Sequence, residues 1–488
     1  MRAKHVRLAV LVILFIFPFM SPGESARSSL EVKTDPQQAE WTVMVYMDGD
    51  NNLEEDALID FLEMARAGST AEVNVVVQLD RIGKYVPKTD ERFTYWTETL
   101  RFRITKGMKP SRENALKEQK LGEANMGAGK TLADFVEWAK HTYPAKRYAL
   151  ILWDHGQGWR GVLSPTEEVR TIVSRSGVDP LSQPAVGNVR LGFPFRTPIG
   201  SPFRTLSFDE TDKDKLYNQE IQLHLQQVLK GEKLDLIGFD ACLMAMVETA
   251  YAVRGVAGTM VGSEELVPGT GWQYDDWLNR LTTNPRMDGR ALGKVIVDSF
   301  EKRYGTVTEF SDPNPIVTLS AIDLTKLDQL ATAITTLSKS LIAKFNSEKS
   351  NIKSARSECP VYAPDTLGDG RDYFLHVDMA RFCERLIAHT RDQEIKNNAA
   401  AVLEIINTSV LRNYAGAARR GAFGSHGLAI YFPPDGSSYE KDWLKEDGYE
   451  NSRTRPVGGT LPVFPVEFVE NHYWSDFLHV YFNHFRES

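Results

Sequence analysis

Two short stretches carry the side chains best suited to covalent chemistry. One reads Trp153-Asp154-His155-Gly156-Gln157-Gly158-Trp159; the other reads Gly238-Phe239-Asp240-Ala241-Cys242-Leu243-Met244. A thiol becomes a useful nucleophile when a neighbouring base or a positive environment promotes its thiolate. An imidazole such as His155 is one such base. The adjoining glycines leave room for a substrate backbone, and the Gly156 amide is placed to donate to an oxyanion. The same residues also admit a plainer reading, because cysteine is often a small buried hydrophobe and a single histidine is often structural. On these two stretches alone both readings stand.

Each stretch closes an apolar run that reads as a strand, Tyr148 to Trp153 and Leu234 to Phe239. Three more such runs are Trp41 to Met47, Val73 to Leu79, and one that includes Met260 and Val261. Between them lie helical faces: Leu58, Phe61, Leu62 and Ala65 in one, Leu132, Phe135, Val136 and Ala139 in another. Near-continuous apolar strands alternating with amphipathic helices predict a mainly parallel sheet covered on both faces. Function in such sheets gathers at the carboxyl ends of the strands, where His155 and Cys242 fall. A helix is expected directly after Cys242, with Leu243, Met246, Val247 and Ala250 on its buried face. Its positive end would favour the thiolate. Residues 161–205 break the rhythm with six prolines, five glycines, five arginines and no lysine, and read as a long surface loop. Beyond residue 310 helices are expected over Leu324 to Phe345, Val377 to His389 and Ala399 to Tyr414, with a late strand at Gly427 to Phe432.

Composition bounds the partners. The 488 residues carry 57 Lys+Arg against 65 Asp+Glu, a net charge of -8, which disfavours nucleic acid as a partner. Three cysteines exclude a four-thiolate metal centre. Arg2, Lys4 and Arg7 precede an apolar run from Leu8 to Met20, and small residues follow up to Ala26. That is the layout of a secretory signal, too short to span a bilayer, and it predicts a mature protein that is secreted or periplasmic and free of the membrane. In such an oxidising compartment Cys359 and Cys383 have the option of pairing, which would leave Cys242 as the odd thiol. Rival motifs fail. Gly127-Ala128-Gly129-Lys130-Thr131 has Ala124 where a phosphate loop needs its first glycine. Asp48, Asp50 and Asn52 start like a calcium loop, but Leu53 and Ile59 stand at its Gly and Glu positions. His426-Gly427 precedes its strand, and His472, His479 and His484 lack metal-ligand spacing, so no metal site is expected.

At the two strand ends the chain resembles the clostripain family of cysteine peptidases, within the caspase-like clan. The resemblance extends to Val45-Tyr46-Met47, Asp50-Asn51-Asn52-Leu53-Glu54, Asn125-Met126-Gly127, Phe208-Asp209-Glu210-Thr211, Pro268-Gly269-Thr270-Gly271-Trp272 and Gly427 to Pro433, across roughly residues 40–485. It implies a caspase-like three-layer sandwich with a mixed α/β extension at the carboxyl end. Its divisions are a signal peptide (1–26), a polar leader (27–38), a catalytic region (39–310) and the extension (311–488). It implies a His155–Cys242 dyad that forms a thioacyl enzyme, and a carboxylate, Asp240, that receives Arg or Lys before the cut in a peptide or protein. Asp240 also fits a helix cap or turn. Family members can be activated by cutting themselves between the two motifs, so the resemblance makes 161–205 a candidate processing segment. The resemblance allows calcium activation, although the sequence itself requires no cofactor. The rival reading is a catalytically silent extracellular binding protein of the same fold.

Overall fold

The structure, a computed structural model, describes residues 38–86, 88–90, 92–117, 120–158, 206–305, 314–363, 375–436, 438–439, 449 and 466–484. The expected signal peptide and the candidate processing segment lie outside the described residues. Five strands form the parallel centre of a nine-stranded sheet: β1 (Ala39–Gly49), β2 (Val73–Arg81), β5 (Ala145–Trp153), β8 (Leu234–Asp240) and β9 (Ala257–Gly262). Their spatial order is β9-β8-β5-β1-β2. β3 (Thr99–Arg103) and β4 (Lys120–Gly122) continue past β2 in antiparallel fashion. β10 (Thr318–Asp323) and β12 (Val410–Ala415) continue past β9 in the same way. The region after 311 therefore lengthens the sheet itself, and residues from Gln38 onward pack as one unit. Two small pairs complete the strands, β6 (Leu206–Asp209) with β7 (Asp214–Leu216), and β11 (His376–Asp378) with β13 (Ala429–Tyr431).

The period of two along each central strand splits its side chains between two buried layers. In β1, Trp41, Val43, Val45 and Met47 join α1 (Glu54–Ala67), α5 (Tyr274–Thr283) and α6 (Gly289–Tyr304) on one face. Met44 and Tyr46 join α2 (Gly129–Thr142), α3 (Asn218–Leu229) and α4 (Val247–Val253) on the other. That second layer also takes in α7 (Leu327–Ala343), α8 (Phe345–Ser357), α9 (Met379–His389), α10 (Gln393–Ser409) and, near the carboxyl end, α11 (Glu467–Asn471) and α12 (Trp474–His484). Helices on both faces of a largely parallel sheet give the three layers that the sequence pattern implies.

Three expected helices change shape. Residues 324–345 form one turn of 3-10 helix and then α7, which stops at Ala343 before α8 begins. Val377 lies in β11, and Asp378 ends that strand by capping α9 through the Arg381 amide at 2.6 Å. The helix assigned to 399–414 ends at Ser409; Val410 onward pairs with β10. Val410 continues the helical spacing of Val402 and Ile406, so periodicity cannot reveal that an open sheet edge captures it.

Candidate active site

β5 and β8 are adjacent and parallel, and Trp153 lies in register with Asp240. Two residues after Trp153 comes His155, and two after Asp240 comes Cys242, so both sit past the carboxyl rim of neighbouring strands. The loops they occupy touch. A Cβ on Gly156 would collide with the Cys242 carbonyl oxygen and stand 2.9 Å from the Cys242 nitrogen. The Asp154 amide donates to the Asp240 carbonyl across the same rim at 3.4 Å.

The turn after β1 backs His155. Asn52 Oδ1 lies 2.9 Å from His155 Nε2, and Asn51 Nδ2 donates to Asp154 Oδ1 at 2.8 Å. With the amide oxygen of Asn52 accepting, Nε2 carries the hydrogen and the basic nitrogen of a neutral ring is Nδ1. The motif Asp50-Asn51-Asn52 thus has a task its sequence did not disclose: it orients the imidazole loop. Only chain folding brings residues 103 positions apart together.

Cys242 is partly buried and borders both hydrophobic layers. Here the structure corrects the expected helix start. Ala241 to Ala245 form a turn, Leu243 takes a left-handed φ of 63°, and α4 begins only at Val247. A helix dipole acts within its first turn, so it does not reach the sulfur. Burial instead pushes the thiol up to about 12; the Val267 amide, donating to Sγ at 3.2 Å, opposes this, and Glu265, Asp240 and Asp154 add to it. The residues after β9 hold this turn in place, because Leu243 donates to the Glu265 carbonyl at 3.1 Å and Ala245 to that of Ser263 at 2.8 Å. From behind, Ala429 of β13 donates to the Ala245 carbonyl at 2.8 Å.

Asp240 is buried at the end of β8. Its Oδ2 accepts from the Trp272 amide and the Tyr274 hydroxyl, each at 3.0 Å, while Oδ1 has no hydrogen-bond partner among the described residues. Burial raises its carboxyl to about 7, against the two donors and Arg303. Beside it lies a residue the sequence reading missed, Asp60 of α1. A Cβ on Gly271, whose φ is +56°, would stand 2.8 Å from Asp240 Oδ2 and 2.9 Å from Asp60 Oδ2. Asp60 accepts from Trp153 Nε1 at 2.7 Å through Oδ2, and its Oδ1 has no hydrogen-bond partner among the described residues. Its carboxyl is held well above the ordinary range, first by burial and then by Glu63 and Asp240. Around the helix Asp60 falls on the side away from the Leu58, Phe61, Leu62 and Ala65 stripe, so it reads as a solvated residue and no signal in the sequence marks it.

The remaining expectations fall as follows. Cys359 and Cys383, whose pairing the sequence left open, are both buried free thiols. The amide at the start of α2, in the failed phosphate-loop motif, donates to Glu220 Oε1 at 2.7 Å. His426 is paired with Asp378 and Glu384, which raise it to about 9, and His472 accepts or donates at Thr335 Oγ1 while packing on Tyr251 and Phe468. A metal was not expected, yet four carboxylates, Asp50, Asp80, Glu123 and Asp209, converge behind the Asn51–Asn52 turn. Among the described residues no helix is long and apolar enough to cross a membrane.

A histidine and a cysteine past neighbouring strand ends of a largely parallel α/β sheet are an arrangement that suits a cysteine peptidase. Residues 45–174 and 200–479 match the profile of the clostripain family, C11, and the chain belongs to that family of cysteine peptidases. It is 25% identical over 444 residues to clostripain of Hathewaya histolytica, covering 82% of this chain and 75% of that protein. Its fold is similar to an inactive zymogen C11 protease from Parabacteroides distasonis, with a TM-score of 0.52 and 20% identity over 85% of this chain and 99% of that one. A secreted C11 cysteine protease from Bacteroides thetaiotaomicron, solved with an irreversible peptide inhibitor, gives 0.51 and 18% over 83% and 97%.

Proposed function

We propose that this peptidase cuts peptide bonds after Arg, and less well Lys, with Cys242 as nucleophile and His155 as its proton partner. The observation that carries the reading is the register of β5 and β8, which sets the two residues past matched ends of adjacent strands. The Cys242 thiol gives its proton to His155 as sulfur bonds to the scissile carbonyl carbon. The carbonyl electron pair moves to oxygen, where the Gly156 amide is placed to donate. As the carbon–nitrogen bond breaks, His155 returns the proton to the leaving amine. Water then attacks the thioacyl enzyme and restores the thiol.

Asp240, with Asp60 beside it, supplies the anionic end of the pocket for the residue before the cut. The unpartnered Oδ1 atoms of both support this role, because a buried carboxylate oxygen is costly until a cation or a donor reaches it. Secretion through residues 1–26 and self-cutting within 161–205 complete the reading; the similar folds of a secreted and a zymogen C11 protease agree with both. Membership of a peptidase family decides against the silent binding protein. The deciding experiment compares hydrolysis of a peptide amide ending in Arg by the wild type and by Cys242→Ala. Loss of hydrolysis is expected, and undiminished hydrolysis would reject Cys242. Intact-mass analysis of the same pair reads signal removal and self-cutting together.

A further inference from the structure

Glu265 stands two residues before Val267, whose amide donates to Cys242 Sγ at 3.2 Å. Its own carbonyl accepts from the amide of Leu243, the residue after Cys242, at 3.1 Å. The turn that carries the sulfur thus hangs from one short segment, Glu265 to Val267, just past β9. The aim of the sulfur is only as firm as the anchorage of that segment.

The Glu265 amide donates to Ser263 Oγ at 3.0 Å and to Thr318 Oγ1 at 3.1 Å. The side chain adds an anchor of another kind. Its carboxylate is fully buried, and Oε1 accepts from the Leu266 and Ala363 amides, each at 2.9 Å. Oε2 accepts from Arg419 Nε at 2.6 Å, with Arg419 Nη2 also at 2.6 Å. Ala363 lies after α8, and Arg419 ends a 3-10 turn, Ala417–Arg419, after β12, so both reach in from the carboxyl-terminal region. Arg419 is itself well held. Its guanidinium lies 4.4 Å from the centre of the Phe423 ring, its amide donates to the Gly416 carbonyl at 2.9 Å, and its carbonyl accepts from Ser425 at 3.0 Å. Among the described residues no other Lys or Arg pairs with Glu265.

A buried ion pair is a poor route to stability, because the desolvation of both charges offsets most of their attraction. Here the charge has a neighbour that feels it. Burial comes first in raising the Cys242 thiol, and among charged groups Glu265 leads, ahead of Asp240 and Asp154. An acid beside a sulfur that has to ionise is a handicap unless a cation offsets it. Arg419 is that cation, and it opposes the burial that raises the Glu265 carboxyl. We infer that Glu265 and Arg419 are a positioning pair for the nucleophile, by which the carboxyl-terminal region fixes the Cys242 turn and offsets the acid beside its sulfur. Resting on Cys242 as the nucleophile, this arrangement gives the region beyond residue 311 a part in the chemistry through a contact that substrate never meets.

The test reads the sulfur directly. Full-length protein is alkylated with iodoacetamide near neutral pH, and modification of Cys242 is followed by peptide mass analysis, beside steady-state hydrolysis of a peptide amide ending in Arg. Arg419→Met leaves the acid uncancelled and is expected to slow alkylation by about tenfold, and to lower kcat in proportion with KM little changed. Arg419→Lys keeps the charge but not the fork, and is expected to stay within about fivefold of the wild type in both. Glu265→Gln keeps an acceptor for the Leu266 and Ala363 amides while removing the acid, and is expected to speed alkylation by about threefold or more. A pair that only braced the fold would move alkylation the same way in Arg419→Met and Glu265→Gln. That result overturns the inference, as does an unchanged rate in either, or a loss in Arg419→Lys equal to that in Arg419→Met. Thermal unfolding checks that each variant folds; should Arg419→Met fail to fold, the direction of change in Glu265→Gln decides. Hydrolysis retained by Cys242→Ala would reject the nucleophile itself, whereas hydrolysis lost there with alkylation unmoved in the other variants overturns the pair alone.

Discussion

Asp240 has to serve two conditions with one carboxyl. In the resting protein its neutral form is favoured, since burial lifts it from 3.8 to about 7. Its contribution to stability is therefore complete below about pH 4 and is lost as pH rises through about 7. A guanidinium in the pocket needs the ionised form. For substrates with Arg before the cut, kcat/KM is expected to climb through about pH 7. Asp240→Asn removes that limb and lowers kcat/KM by about tenfold to a hundredfold, the worth of one charge-assisted hydrogen bond. The same variant at pH 8 is expected to melt no lower than its parent, which thermal unfolding checks. Asn52 acts through His155, so Asn52→Ala is expected to cut kcat by about tenfold or more with KM little changed, in steady-state kinetics. His155 and Cys242 could be singled out as candidates because strand ends in a parallel sheet are where chemistry collects, and Asp240 only through the family resemblance. Asn52 and Asp60 could not, because their meaning lies in partners far away in sequence.

The elements that matter most are the loops after β5, β8 and β9, which interlock at the rim. Gly156 is the point of closest approach, and no side chain fits between its Cα and the Cys242 backbone. Since the obstacle is backbone, Gly156→Ala has to push the two loops apart. A destabilisation of about 1–3 kcal/mol is expected, together with loss of most activity, measured by denaturant unfolding and hydrolysis. The central parallel strands could be read from their apolar runs, as could the buried stripes of α1 and α2. What escaped was local geometry decided by tertiary contacts. The turn at Leu243 replaces a helical start because the Glu265 and Ser263 carbonyls capture the amides of Leu243 and Ala245. β12 is a strand because β10 offers it an edge.

For the whole molecule, the order of strands has more weight than any single contact. β1 to β5 precede residue 159, and β6 to β13 follow residue 205. The two sets meet along β5 and β8, from the Ala149–Leu236 pair to the Trp153–Asp240 pair. Further ties cross the same divide, including Met126 to Asp209 and Gly129 to Glu220. A cut anywhere in 159–205 is therefore expected to give fragments that part on a denaturing gel and elute together under native conditions. The same topology makes the gene divisible. Two open reading frames, one ending before residue 159 and one starting after 205, should complement each other when expressed together. Expressed singly, each half would present a bare apolar margin of sheet and precipitate.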